Sequence, residues 1–466
     1  MRFFLKEVVN HRDMKKKLFF TASILSFLAL GFVKAQNIQF EDAKFKINLL
    51  SASPDNEIAK DVDGKAVAID ANGDREISQK EALNIYQLDI GGEQDIKSVK
   101  GIEYFTHLAV LSCYNFYLLK SLDISKNINL RELDLSDTEI KTLDISKNIK
   151  LQDLNLYDTK IKMLDVSKNI NLQNLDLSGA GIKTLDVSKN TNLQKLDLDD
   201  TGIKTLDISK NIDLQTLDLS SVVIKTLDVS KNINLQELYL SNTEIGALDI
   251  SKNINLQTLD LEGDSEVKTL DVSKNINLRN LWLSGTRIET LDVSKNVNLQ
   301  KLDLSNTGIQ ALDVSKNINL QNLGLVNNGI QTLDLSKNIN LQGLYLEDNN
   351  IIQTLDVSHN TNLTNLNFRW CTGLISLNMK NGVKKTFSSN YSPHSSNYDF
   401  IGTNLKFICC DEDEIDTVKD YMQNLETENL LADGWQFSNL IVTSDCGTEN
   451  TKEIPPQEKE ASYPNL

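Results

Sequence analysis

A six-residue segment recurs along most of this chain at a nearly constant spacing. It reads Leu-Asp, then Ile, Val or Leu, then Ser, then Lys or His, then Asn, and it occurs twelve times. The copies begin at Leu122, Leu143, Leu164, Leu185, Leu206, Leu227, Leu248, Leu270, Leu291, Leu312, Leu333 and Leu355. They are 21 residues apart, except for two steps of 22 residues that precede Leu270 and Leu355. So regular a period predicts a stack of similar units rather than a single globular core.

Between two hexamers lies a short alternation of leucine with polar residues, as in Leu133, Asp134 and Leu135. Such alternation predicts a strand with one buried face. One unit offers six or seven apolar side chains, worth roughly 1.5–3 kcal/mol each when buried. Ordering its residues costs on the order of 1–2 kcal/mol each, so a lone unit does not fold. Stacking strands about 4.8 Å apart in a parallel sheet buries the leucines in a continuous core.

The complete unit matches the pattern L-x-x-L-x-L-x-x-N-x-L, with threonine commonly replacing the asparagine. With its "LDVSKN" half, it resembles the 21-residue leucine-rich repeat of internalin-J-type bacterial surface proteins over roughly Ile96–Asn381. The resemblance implies a curved leucine-rich-repeat horseshoe, a repeat solenoid with a parallel β-sheet on its concave face. It also implies binding at a cell surface, without indicating a ligand. That family commonly carries cysteine in the strand motif, where this chain has only Cys113 and Cys371.

The N-terminal residues have the layout of an export signal. From Met14, three lysines precede an apolar run that ends at Val33-Lys34-Ala35. This layout predicts a signal peptide over residues 14–35, with residues 1–13 as a spurious extension. An uncleaved anchor is the alternative, but the run is short for a membrane span and ends in a plausible cleavage site. We therefore expect a secreted or cell-surface bacterial protein with no stable membrane span.

The repeats, residues 96–380, need caps because an open stack exposes apolar ends. Residues 36–95 are predicted to form a helical N-terminal cap with two short helices. Residues 381–447 are predicted to form a small α+β C-terminal cap, in the order strand, helix, strand. Residues 448–466 are polar and charged, which predicts a disordered tail. The tail ends in "SYPNL", which is similar to the start of some bacterial sorting domains and is consistent with a truncated sorting region.

Five cysteines are too few for a disulfide scaffold. In an exported protein a single bond within the C-terminal cap is expected, between Cys446 and either Cys409 or Cys410. The sequence does not choose between the two partners.

The segment "DANGDREISQKE", residues 70–81, matches the calcium loop of an EF-hand. The expected ligands are Asp70, Asn72, Asp74, the carbonyl of Glu76, a water held by Ser78, and the carboxylate of Glu81. The departure is Arg75, which stands where an EF-hand needs glycine for a left-handed backbone. We expect a structural calcium ion here; the alternative is a loop that keeps the shape and binds calcium weakly.

The outward strand positions of the repeats are the predicted binding surface. In order they are Asp134, Asn155, Asp176, Asp197, Asp218, Tyr239, Asp260, Trp282, Asp303, Gly324, Tyr345 and Asn367. Since neighbouring leucines take the inward positions, Trp282 is expected to be exposed, and binding surfaces favour Trp, Tyr and Arg. The predicted ligand-binding residues are Tyr239, Trp282, Tyr345, Arg369 and Trp370, the last two flanking the same edge. Neutral drift between near-identical repeats is the alternative.

The formal net charge of −17 argues against nucleic acid as a partner. The four histidines are scattered, and there is no phosphate-binding loop, metal-spaced Cys/His set or nucleophile elbow, so a non-enzymatic protein is expected. The leading interpretation is an exported adhesin or recognition module that binds an extracellular protein or glycan. The alternatives are a structural envelope-coat protein without a specific ligand and a glycan-binding subunit. The oligomeric state does not follow from the sequence.

Overall fold

The structure is a computed structural model that describes residues 36–92, 95–387, 398–428, 430–432 and 436–447. The predicted signal peptide, the extension before it and the predicted tail at 448–466 lie outside the described residues. Within the described part, no helix is both long and apolar enough to cross a lipid bilayer.

Short strands dominate the structure, and helices occur only near its two ends. The helices are α1 (Ala43–Leu50), α2 (Gln79–Ala82) and α3 (Ile415–Thr427). The first strands are β1 (Ala59–Lys60), β2 (Gln87–Asp89), β3 (Val110–Ser112), β4 (Glu132–Asp134), β5 (Asp153–Asn155), β6 (Asn174–Asp176), β7 (Lys195–Asp197), β8 (Thr216–Asp218), β9 (Glu237–Tyr239) and β10 (Thr258–Asp260). The others are β11 (Asn280–Trp282), β12 (Lys301–Asp303), β13 (Asn322–Gly324), β14 (Gly343–Tyr345), β15 (Thr354–Asp356), β16 (Asn365–Asn367), β17 (Ser376–Asn378), β18 (Tyr398–Asp399), β19 (Phe407–Cys409) and β20 (Ile441–Thr443).

The repeats form one long sheet with the strands in chain order from β1 to β14, followed by β16 and β18. From β2 onward neighbouring strands are parallel, and equivalent residues pair, as Leu259 does with Leu281. The central leucine of every repeat strand is buried in a core that runs the length of the stack. The extra residue of each 22-residue repeat therefore lies outside the sheet. The predicted solenoid with a parallel sheet is confirmed.

The hexamer holds each repeat to the one before it through its asparagine. All twelve hexamer asparagines are fully buried. The Nδ2 of Asn148, for example, donates to the carbonyl oxygens of Ile124 (3.1 Å) and Asn127 (2.9 Å) in the preceding repeat. The same pair of bonds recurs at the other hexamer asparagines, as at Asn232. Buried carbonyls that strands leave unpaired are thereby satisfied.

The N-terminal segment is less helical than its sequence predicts. Residues 36–95 contain α1 and α2, but also β1 and β2. Strand β2 pairs with β3 as a parallel neighbour, while β1 pairs antiparallel to β2. The sheet thus begins inside the predicted helical cap, because Gln87, Leu88 and Asp89 alternate in burial as the repeat strands do.

The C-terminal end adds a second sheet in the order β15, β17, β19, β20. Strand β15 comes from the hexamer at Leu355, and β17 comes from a divergent copy of the hexamer at Leu377; the other hexamers are not strands. Helix α3 packs against β20, so strand, helix and strand follow in the predicted order. A disulfide joins Cys409 to Cys446, with a Cα–Cα distance of 5.6 Å, and Cys410 is a buried free thiol.

Candidate binding face

We call the outward surface of β4–β14 and β16 the strand face. The first and third residue of each strand point away from the core, since the central leucine is buried. Register brings the third residues of all these strands into one column, so that Trp282 lies between Asp260 and Asp303. Successive members of this column are about 4.8 Å apart, the spacing of paired strands.

The three predicted aromatics, Tyr239, Trp282 and Tyr345, all stand in this column. They are partly buried rather than fully exposed. Burial, with the carboxylates of Glu237 and Asp218 beside it, raises the pKa of Tyr239 to about 12. Its hydroxyl stays protonated at physiological pH and donates a long hydrogen bond of 3.5 Å to the carboxylate of Glu237.

Two glycines shape the strand face between Trp282 and Tyr345. A Cβ atom added to Gly343 would lie 3.1 Å from the ring and the hydroxyl of Tyr345, so this ring lies along its own strand. A Cβ atom at Gly324 would lie 2.5 Å from a carboxylate oxygen of Asp303. A side chain at either position would displace its neighbour, so these glycines leave room for the residues beside them.

The first half of the strand face is acidic. Asp176, Asp197 and Asp218 are adjacent in register. Burial raises the pKa of Asp197 to about 6, and repulsion from Asp176 and Asp218 adds to the effect. A depression of about 350 Å³ lies over β2–β7, and Asp134 and Asp176 line it. A cationic group of a partner placed here would relieve the repulsion.

Arg369 and Trp370 were predicted to flank the edge of the strand face in the last strand of the repeats. They lie instead in the turn after β16. The guanidinium of Arg369 forms an ion pair with Asp399, and both side chains are mostly buried. Trp370 has a left-handed backbone with φ of 60°. Other repeats hold Asp, Asn, Ser or Gly at this position, because those residues tolerate φ above zero. Its ring is half exposed and lies against Gly402. Trp370 therefore lies among the turns that follow the strands and not on the strand face.

The EF-hand-like loop has the backbone that its sequence requires. Arg75 adopts φ of 65°, the left-handed conformation expected at that position. The carboxylate of Asp70 accepts hydrogen bonds from the amides of Gly73 (2.8 Å) and Arg75 (2.9 Å). The side chain of Glu76 forms an ion pair with Lys46 (2.8 Å).

The remaining predicted calcium ligands are engaged within the loop. Asn72 and Asp74 accept the amides of Asp74 and Glu76. Glu81 and Ser78 form a capping box at the start of α2, and Glu81 also accepts the amide of Ala71 at 3.1 Å. In the described part of the chain, no three Asp, Glu, His or Cys side chains converge as a metal site. The loop therefore has oxygen donors of the chemistry that calcium uses, with Glu81 turned to the helix start.

Two features of the repeats were not predicted. Asp264 is fully buried at the position that half of the repeats fill with threonine. A row of isoleucines one residue after the hexamer asparagine is half exposed in repeat after repeat. The recurring "NIN" motif was the available signal for this row, because an apolar residue between two asparagines in most repeats has no place in the alternation of the strand.

No protein-family model matches the sequence, and no curated protein sequence is significantly similar to it. Solved structures, however, share the fold. The functional domain of InlJ from Listeria monocytogenes, which includes a cysteine ladder, is 26% identical over 80% of this chain and 78% of that chain, with a TM-score of 0.54.

Two further structures agree in fold at lower identity. The internalin InlF from Listeria monocytogenes is 20% identical over 70% of this chain and 97% of its own, with a TM-score of 0.54. The leucine-rich-repeat ectodomain of the Arabidopsis thaliana receptor kinase GASSHO1/SCHENGEN3, in complex with CASPARIAN STRIP INTEGRITY FACTOR 2, is 18% identical over 72% of this chain and 51% of its own, with a TM-score of 0.54. The neighbours are thus internalin-type and other leucine-rich-repeat proteins, which supports a protein-interaction repeat module.

Proposed function

We propose that this protein is an exported, non-enzymatic adhesin or recognition module that binds an extracellular protein on its strand face. The observation that carries the proposal is the placement of Tyr239, Trp282 and Tyr345 in one column where the other strands mostly carry aspartate or asparagine. Aromatic side chains held on a rigid sheet supply contact area at a small loss of conformational entropy, which is why binding surfaces use them.

The charge of the strand face indicates the kind of surface that the partner presents. Carboxylates flank Tyr239 and Trp282 in register and extend toward the N-terminal end through Asp197. A partner that carries lysine or arginine around an apolar contact would pair with these carboxylates, whereas an acidic partner would be repelled. The resemblance to internalins and the export signal in the sequence support a partner outside the cell.

The test is a binding screen of the full chain, exported by the expression host, against extracellular proteins and glycans. It is run beside a variant with Tyr239→Asp, Trp282→Asp and Tyr345→Asn. A matched control carries Tyr157→Ser, an exposed tyrosine outside the strand column at a position where other repeats have serine. We expect the triple variant to lose a ligand that the wild type and the control both bind.

Two alternatives correspond to other outcomes of the same screen. Equal binding by the wild type and the triple variant would place the site elsewhere and contradict the proposal. Competition by soluble glycans would favour a glycan-binding subunit, and no ligand at all would favour a structural coat of the envelope. Mass spectrometry of the exported protein checks the expected cleavage after Ala35.

We further propose that calcium stabilises the N-terminal loop rather than regulating binding. Asp70, Asn72 and Asp74 with the carbonyl of Glu76 would supply oxygens to the ion, and Ser78 would hold a water. Glu81 would join them in place of some of its present hydrogen bonds. The left-handed backbone of Arg75 supports the site, because a loop of this type needs that conformation at that residue.

Calcium is expected to raise the melting temperature of the protein, and Asp70→Ala combined with Glu81→Ala is expected to abolish the rise. Magnesium at the same concentration is the control, because it demands a smaller, octahedral site. Because Glu81 also caps α2, the single variant Asp74→Asn is the milder check, and it should weaken the calcium response while leaving the metal-free melting temperature almost unchanged. An unmutated protein that melts at the same temperature with and without calcium has no such site.

A further inference from the structure

Along one flank of the solenoid runs an apolar row that we call the ridge. It consists of the residue that follows each hexamer asparagine, and its members are between 45% and 54% exposed. The ridge residues are Ile128, Ile149, Ile170, Ile212, Ile233, Ile254, Ile276, Val297, Ile318 and Ile339. Thr191 and Thr361 take the place of an aliphatic residue at two positions. Single exposed aliphatic residues are ordinary, but a continuous row of them marks an interaction surface.

A polar groove lies directly beside the ridge, between it and the strands. Its volume is about 700 Å³. It is lined by Gln215, Asn234, Gln236, Asn255, Gln257, Asn277, Arg279, Asn298, Gln300 and Asn319. These residues come from the same repeats as the unbroken part of the ridge, which extends from Ile212 to Ile339.

The carboxamides of the groove are already bonded to the protein in part. Asn255 donates to the carbonyl oxygen of Ile233 at 3.1 Å, and Gln257 donates to Gln236 at 3.3 Å. Polar groups that keep a partner are less costly to cover than free ones. The groove can therefore receive an apolar side chain at a smaller penalty than a row of unpaired amides would impose.

We propose that the ridge and the groove form a self-association surface, in which the ridge of each of two parallel copies packs into the groove of the other. A two-fold axis that runs along the solenoid between ridge and groove exchanges the two rows. Such an interface is isologous and closed, so it gives a dimer and not a fibre. In each repeat the hexamer lysine precedes the ridge residue, and the groove amides follow it. The lysines therefore lie on the side of the ridge away from the groove, and the lysine rows of the two copies stay apart in this arrangement.

The regular spacing of the ridge is the reason for choosing a second copy as the occupant. The ridge presents one residue per repeat over many repeats. A partner with any other period would lose register after a few contacts, whereas a second copy has the same pitch by construction. A glycan, whose hydroxyl groups need polar contacts, would leave the aliphatic ridge without a match.

The area is sufficient for a stable dimer. Full burial of an isoleucine corresponds to roughly 60–120 Å², so half-exposed side chains still offer roughly 50 Å² each. The six ridge residues that lie beside the groove, Ile212, Ile233, Ile254, Ile276, Val297 and Ile318, together provide roughly 300 Å² per copy. The groove residues that they cover add a comparable area, and the total of roughly 1,200 Å² over both partners reaches the lower end of stable interfaces.

The test measures the mass of the protein in solution by sedimentation velocity over a range of concentrations. The full chain is compared with a ridge variant that carries Ile212→Thr, Ile233→Thr, Ile254→Thr and Ile276→Thr. Threonine is β-branched like isoleucine and occurs naturally at Thr191 and Thr361, so the fold should be kept; thermal melts of both proteins verify this. A control variant carries Met163→Thr, Val223→Thr and Ile351→Thr, which are exposed apolar residues outside the ridge.

We expect the wild type and the control variant to be dimers, and the ridge variant to dissociate at least about a hundredfold more readily. A wild type that stays monomeric at about 1 mM would overturn the proposal. So would a ridge variant that dimerises as well as the wild type, because the interface would then lie elsewhere. Binding of monomeric wild type to anionic vesicles, lost in the ridge variant, would identify the ridge as a lipid-binding surface and would equally overturn the proposal.

Discussion

Two columns of side chains run through the same repeats and behave in opposite ways. The asparagine that ends the hexamer is the same residue in all twelve copies, whereas the third residue of the strand is Asp, Asn, Tyr, Trp or Gly. The asparagines are completely buried, and each donates two hydrogen bonds to the repeat before it. The strand residues face outward and are only partly buried.

The difference shows that a position keeps the same residue in every repeat where that residue satisfies hydrogen bonds of the backbone. A buried carbonyl needs a donor of fixed length, and the asparagine side chain supplies it. No comparable requirement acts on the strand face, so its residues are free to serve another purpose or none. Substitutions in the two columns should therefore have very different effects on folding.

The largest effect is expected in the buried column. Asn232→Ala removes the bonds to the carbonyl oxygens of Ile208 (3.0 Å) and Asn211 (2.8 Å) and leaves both groups buried without that donor. We expect the free energy of unfolding to fall by about 2–4 kcal/mol. Urea denaturation measures the change. The matched control is Asn234→Ala, an exposed asparagine of the same repeat that donates a single bond to Ile212, and its loss should be below about 1 kcal/mol. Equal losses in the two variants would contradict the comparison.

A third column of residues shows that a buried position need not hold the same residue in every repeat. After each strand comes a position that is buried and yet variable, and at one repeat it holds Asp264. One carboxylate oxygen of Asp264 accepts the hydroxyl of Thr243 at 2.8 Å, and the other has no hydrogen-bond partner among the described residues. At the same position Asn328 and Asn349 donate to carbonyl oxygens 24 residues earlier, at 2.8 and 2.7 Å. Asp264 can make the equivalent bond, to Leu240, only when it is protonated.

Burial raises the pKa of Asp264 from 3.8 to about 7. Between these two values the folded protein holds a proton that the unfolded chain releases, so stability is greatest at the acidic end and falls as the pH rises toward 7. Asp264→Asn, which is neutral and a permanent donor, should remove this dependence. We expect it to stabilise the protein by about 1–2 kcal/mol at pH 8, and by much less at pH 5. Thermal melts at the two pH values decide the matter, and a stabilisation that is the same at both would contradict the assignment.

The smallest effect is expected on the strand face. Trp282→Asn places at this position the residue that Asn155 and Asn367 already provide in other strands. The change in the free energy of unfolding should stay within about 1 kcal/mol, because the ring is not part of the continuous core. The same urea titration measures it. A loss as large as that of Asn232→Ala would mean that Trp282 is needed for folding, and the functional interpretation of the aromatics would lose its basis.

The architecture could be predicted from the sequence to a large extent, because a strict period and an alternating strand admit few folds. The register of the sheet follows directly from the 21-residue step, and the C-terminal order of strand, helix and strand follows from local composition. The beginning of the sheet did not follow, since the Leu88 strand carries no hexamer after it to reveal it as part of the stack.

The candidate site was predictable at the level of which face each residue occupies, but not at the level of neighbours. Tyr239, Trp282 and Tyr345 stand on the strand face as expected. Arg369 and Trp370 do not, because their position after the strand becomes a left-handed turn, and because the partner of Arg369 is Asp399, thirty residues away. Local sequence does not encode such a distant pairing, nor which of Cys409 and Cys410 faces Cys446.

Within the repeats, every strand pairs only with its immediate neighbours, and the side chain of every hexamer asparagine donates only to the unit before it. Nothing in this arrangement depends on how many units separate the two caps. An in-frame gain or loss of one whole unit would join seams that are already nearly identical, as recombination between repeated stretches of a gene can do. The length of the solenoid would then change in steps of about one strand spacing, 4.8 Å, while the chemistry at its two ends stays the same.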